Sequence, residues 1–176
     1  MADDSITPVS PRQRQLFDAL ESIGHQRGVN DQAQLQRVTA ACSNLKSFVG
    51  AVSALLWLIQ LELEQLADLT DCSAEEVQRQ IVGDLEPLAS SPHGARYMGR
   101  AMQLVESHRL QDPETTTAVI RAVDESGSST QWAGLYGGLL QVAHVATDRV
   151  ASAAELSRTQ LTNRLRTAVK QGAPSN

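Results

Sequence analysis

The stretch VASAAELSRTQLTNRLR, Val150 to Arg166, decides how the rest of the chain is read. Its Ala- and Val-rich first part continues a helix. Ser157 then opens a second helix, whose Leu161 packs inward. Counting back 84 residues reaches LADLTDCSAEEVQRQIV, Leu66 to Val82. Ala67 falls on Ala151, Ser73 on Ser157, Val77 on Leu161 and Ile81 on Leu165. Ser73 starts a capping box that Glu76 completes three residues on.

The same offset of 84 extends outward without a gap. Gly50 falls on Gly134, Leu55 and Leu56 on Leu139 and Leu140, Leu20 on Leu104, and Arg37 on Arg121. Identities are few, so the argument rests on the shared order of helix lengths, breakers and N-cap serines. An amphipathic helix from Arg12 carries Leu16, Phe17, Leu20 and Ile23, and Gly24 and Gly28 stop it. Asn30 or Asp31 caps a second helix with a stripe of Leu35, Val38, Ala41 and Cys42. A long helix runs from about Asn44 to Thr70, and a short one follows Ser73. After GDLEPLASSPHGAR the order recurs: a helix through Met98, Met102 and Val105 or a close register of these, one capped by Asp112 with Pro113 at its first position, a long apolar one, and a last one from Ser157. The expected fold is an all-α bundle of two similar multi-helix units, packed through their two long helices around a pseudo-twofold axis. The expected divisions are a flexible arm over 1–11, a first unit over 12–86, a linker over 87–95, a second unit over 96–171 and a tail over 172–176.

Bulk composition limits the function. Aromatic residues are only 3% of the 176, so the core must be built from Leu, Val, Ile and Ala. The formal net charge of -5 argues against a nonspecific grip on nucleic acid. Cys42 and Cys72 form no C-x-x-C pair and read as reduced thiols of a cytoplasmic protein. The polar start MADDSITPVSPR has no apolar segment of a secretory signal. The apolar run Phe48–Leu61 is shorter than a membrane span and reads as a core helix.

The two junction segments resemble the helix-turn-helix pattern over about 17 residues each. Both depart from it: Glu155 and Asp71 stand where the turn usually has Gly, and the first helix is long. The copies differ in charge. The first carries Glu62, Asp68, Glu75 and Glu76, which would repel phosphate. The second carries Arg158, Arg164, Arg166 and Lys170, with Thr159, Gln160 and Asn163 as groups that could reach base edges. This basic face meets either DNA or an acidic protein surface, and the acidic sister copy is the nearest protein candidate.

No catalytic, cofactor or metal constellation is recognised. His25, His93, His108 and His144 are scattered, and no Glu-x-x-His occurs. GLYGG lacks the Lys-Ser/Thr of a phosphate loop. Gly134 and Gly138, matched by Gly50 and Ala54, instead read as small faces that let the long helices cross closely. The resulting expectation is a non-enzymatic cytoplasmic interaction protein that self-associates, as a homodimer for instance. The alternative is a DNA-binding regulator using residues 150–170.

Overall fold

The structure, a computed structural model, describes residues 10–24, 32–88, 92–126 and 128–172. The expected arm and tail lie almost wholly outside these residues, as do His25, Gly28 and the expected cap at Asn30 or Asp31. Within them the chain is all-helical: α1 (Pro11–Gly24), α2 (Gln32–Ala41), α3 (Leu45–Thr70), α4 (Ala74–Leu85), α5 (Pro92–Arg109), α6 (Pro113–Asp124), α7 (Ser129–Ala153) and α8 (Arg158–Gly172), with a short 3-10 turn at Glu86–Leu88.

Local chemistry sets the starts. Ser10 and Gln13 cap α1 reciprocally, each backbone N–H donating to the other's side-chain oxygen, at 3.1 and 3.2 Å. Asn44 accepts the Ser47 N–H at 2.9 Å to open α3. Asp112 accepts the Thr115 N–H at 3.0 Å, with Pro113 in the first turn of α6. α5 already begins at Pro92, inside the segment expected to be a linker.

The ends of α3 and α7 are alike. Asp71 and Glu155 take left-handed φ angles of 53° and 54°. The next residue then donates back across the turn, Cys72 N–H to Ala67 O at 3.2 Å and Leu156 N–H to Ala151 O at 2.8 Å. Ser73 Oγ accepts the Glu76 N–H and Ser157 Oγ the Gln160 N–H, both at 3.2 Å. These turns therefore reach the left-handed conformation without the glycine whose absence the sequence shows.

α3 and α7 form the largest packed pair. They run side by side in the same direction: Phe48 stacks on Trp132 near their starts, with ring centroids 5.3 Å apart, and Glu62 meets Thr147 well along both. α1 packs on α3 and α8, α5 on α7 and α6, and α4 on α3 and α7. One core joins both halves, with Leu20, Leu55, Leu104 and Leu139 all fully buried. α3 is long and apolar enough to cross a membrane by length and composition, and half of its most apolar window is buried in the fold.

The inward face of α5 is Tyr97, Ala101, Leu104 and Val105, a register close to the expected one, with Met98 and Met102 partly buried beside it. One sequence expectation needs correction. The small residues do not serve the crossing of the long helices. The side-chain position of Gly138 lies 3.0 Å from Tyr97 O and 3.2 Å from Ala101 Cβ, so its close neighbour is α5. Gly134 faces the Tyr97 ring, and Gly50 and Ala54 face α1 at Gln15. The seam between α3 and α7 is filled by large side chains such as Phe48 and Trp132.

Candidate functional site

Glu62 was grouped by sequence with an acidic surface; instead it is completely buried where α3 meets α7. Helical spacing carries it there, because it follows Leu55 and Ile59 and precedes Leu66 on one stripe, and all three leucine or isoleucine neighbours are buried. The Thr147 hydroxyl lies 2.7 Å from Glu62 Oε1 and 2.8 Å from the Ala143 carbonyl oxygen. A hydroxyl has one proton, so it donates to only one of these acceptors. Both contacts are satisfied if Thr147 donates to Ala143 and Glu62, as a neutral acid, donates to Thr147. Burial pushes the Glu62 carboxyl up to about 8, against smaller lowering effects of the Thr147 contact and the Arg158 charge and a raising effect of Asp148. Its Oε2 has no hydrogen-bond partner among the described residues. Glu62 is thus a protonated acid at neutral pH, held in the core.

Arg158, the first residue of α8, reaches towards this region and is only 15% exposed along its side chain. Its Nη1 donates to Ile23 O at 2.8 Å and lies 2.8 Å from His144 Nδ1. Guanidinium has no acceptor, so His144 accepts on Nδ1, which leaves its ring proton on Nε2. Arg158 also forms an ion pair with Asp148, Nε to Oδ1 being 3.1 Å. One side chain therefore ties α8 to α7 and to the end of α1. Arg158 is a structural tie, and it corrects the expectation of a guanidinium free to meet phosphate.

Other members of the basic face are spent similarly. Arg166 pairs with Glu21 of α1. Gln160 folds back, its Oε1 accepting the Ser157 N–H at 2.8 Å, so it completes a capping box and does not project as a base-reading group. Thr159, Asn163, Arg164 and Lys170 remain exposed. Opposite charges from the two halves do meet within the chain, since Arg149 Nε lies 2.6 Å from Asp84 Oδ2 and its Nη1 donates to Gln80 at 2.9 Å. Of the expected acidic surface, Glu75 and Glu76 pair with Arg79 on their own helix and Asp68 is exposed. The Glu62, Thr147, His144, Arg158 and Asp148 cluster was not singled out in the sequence. The readable signal was Glu62 on an apolar stripe; nothing local marked Arg158, whose partners are brought by α1 and α7.

Cys42 is buried, and burial pushes its thiol up; Cys72 is half-buried, and both are free thiols. His108 is half-buried, and burial lowers its ring from the usual value. Among the described residues no group of three His, Cys, Asp or Glu side chains could hold a metal ion. Comparison of the chain with protein-family models, with curated proteins and with solved structures returns no match.

Proposed function

We propose that this chain is a non-enzymatic, cytoplasmic interaction protein that self-associates through the outward face of α2. One observation carries the reading: α2 has no buried residue, and its Leu35 is 66% exposed. Single exposed leucines are common, but a helix whose inward Val38 and Ala41 are only partly buried gains little packing to offset its ordering. A second copy covering Leu35 would supply that packing. Sedimentation of the wild type and of Leu35→Glu tests it. Wild-type association that rises with concentration, strengthens with salt as the like net charges are screened, and disappears in the variant supports the reading. A monomer at all concentrations removes it.

We also propose that the two halves arose by duplication. Phe48 and Trp132 are 84 apart and stack on each other, as self-equivalent residues beside a twofold axis would. The matched turns at Asp71 and Glu155 support the same pairing. The symmetry is imperfect, since α8 packs on α1 whereas α4 rests on α7.

A DNA-binding regulator remains a second reading, favoured by the left-handed turn at Glu155 and the exposed Thr159, Asn163, Arg164 and Lys170. The pairs made by Arg158 and Arg166 weaken it. A gel shift that fades steeply as salt rises would support it.

A further inference from the structure

We propose that the cavity walled by α1, α2 and α3 binds a small zwitterion, an amino acid or dipeptide, with its carboxylate on Arg37 and its ammonium on Asp18. The cavity holds about 470 Å³, within the range of small-molecule sites. Its floor is Tyr136 of α7, which is 3% exposed, and small side chains including Ala41 and Ala51 line the rest. Asp18 and Arg37 both line it, yet neither has an ion-pair partner among the described residues. Arg37 Nη1 lies below the surface and has no acceptor among the described residues. A guanidinium left in that state gains from a carboxylate brought alongside it, because a charge-assisted pair replaces a missing hydrogen bond. The opposite charge on Asp18 rejects a simple anion and favours a ligand that also carries a cation. Burial pushes the Tyr136 phenol up to about 12, against a smaller lowering effect of its hydrogen bond with Ser22, so the floor of the cavity carries no charge of its own.

The site also gives a reason for the state of α2. The helix stands over a cavity, and its Val38 and Ala41 are only partly buried against the core. This inference does not depend on self-association, because Leu35 is not among the lining residues.

The test is titration of the full chain with L-leucine and with L-alanyl-L-alanine, followed by amide NMR spectra of isotope-labelled protein. 4-Methylpentanoate and 3-methylbutylamine serve as carboxylate-only and amine-only controls. The expected result is saturable shifts at Ala33, Arg37, Ala41 and Ala51 with at least one zwitterion below about 10 mM. Arg37→Met and Asp18→Asn should each weaken binding by about tenfold or more, with helical circular dichroism unchanged. No shift with either zwitterion would overturn the proposal. So would equal binding of a control, or binding that survives both substitutions. Sedimentation of Leu35→Glu reports separately on self-association, so the two readings fail independently.

Discussion

Glu62→Gln, followed across pH, tests the buried acid directly. The folded state holds the Glu62 proton up to about pH 8, whereas the unfolded chain releases it near 4.5. A folded-state value raised in this way stabilises the protein fully below the unfolded value, and the contribution is lost as pH rises through the folded one. Integrated over the interval, the wild type should lose about 4 kcal/mol between about pH 5 and about pH 9 from this group. The slope is greatest through the neutral range, where one extra proton is bound by the folded form. The substituted glutamine has nearly the same shape, keeps a donor for Thr147 and cannot ionise, so this share of the pH dependence vanishes. Urea unfolding of both proteins at a series of pH values gives the difference by linear extrapolation, and that difference cancels all other titrating groups. Near pH 5 the two should agree to about 1 kcal/mol. At alkaline pH the variant should be the more stable. Parallel curves for the two proteins would refute the buried neutral acid, and a wild type that gains stability with pH relative to the variant would refute its sign.

Gly138→Leu should cost about 3 kcal/mol by pushing α5 from α7, since even a Cβ there meets Tyr97 O at 3.0 Å; denaturant midpoints equal to wild type would exclude the close approach. Glu155→Gly should stabilise by about 0.5–1 kcal/mol, because φ of 54° strains a residue with a Cβ, and a loss of stability in thermal unfolding would count against this. Native labelling by a thiol reagent should be faster at Cys72 than at Cys42, whose thiol is buried and held protonated; equal fast rates would show that α2 and its following turn open readily.

The fold class was legible because the stop and start signals are local. Asn44, Ser73, Asp112 and Ser157 each stand one residue before a helix, as their side chains suit that position. The register of α5 was less clear, because Met98 and Met102 are apolar yet flank the buried stripe. Tyr97 and Ala101 take the inner positions because Gly138 leaves room for the α5 backbone there. The charged residues were the least legible. Arg158 looks like its exposed neighbour Arg164 in the sequence, and only the arrival of Ile23, His144 and Asp148 distinguishes it. Glu62 lies two residues from the exposed Glu64, and the charge pattern hid what the helical period revealed.

The contact between the first and last helices has a consequence for synthesis. Arg158 reaches a carbonyl 135 residues earlier, and Arg166 a carboxylate 145 residues earlier. On the ribosome, Leu20 and Ile23 emerge well before the α8 surface that helps cover α1. The nascent chain must carry that apolar edge open until the distant α8 segment has been made, so closure waits on a long-range contact. A ribosome stalled before Arg158 would display a partly uncovered α1, and such an edge is what a chaperone that holds nascent chains would bind.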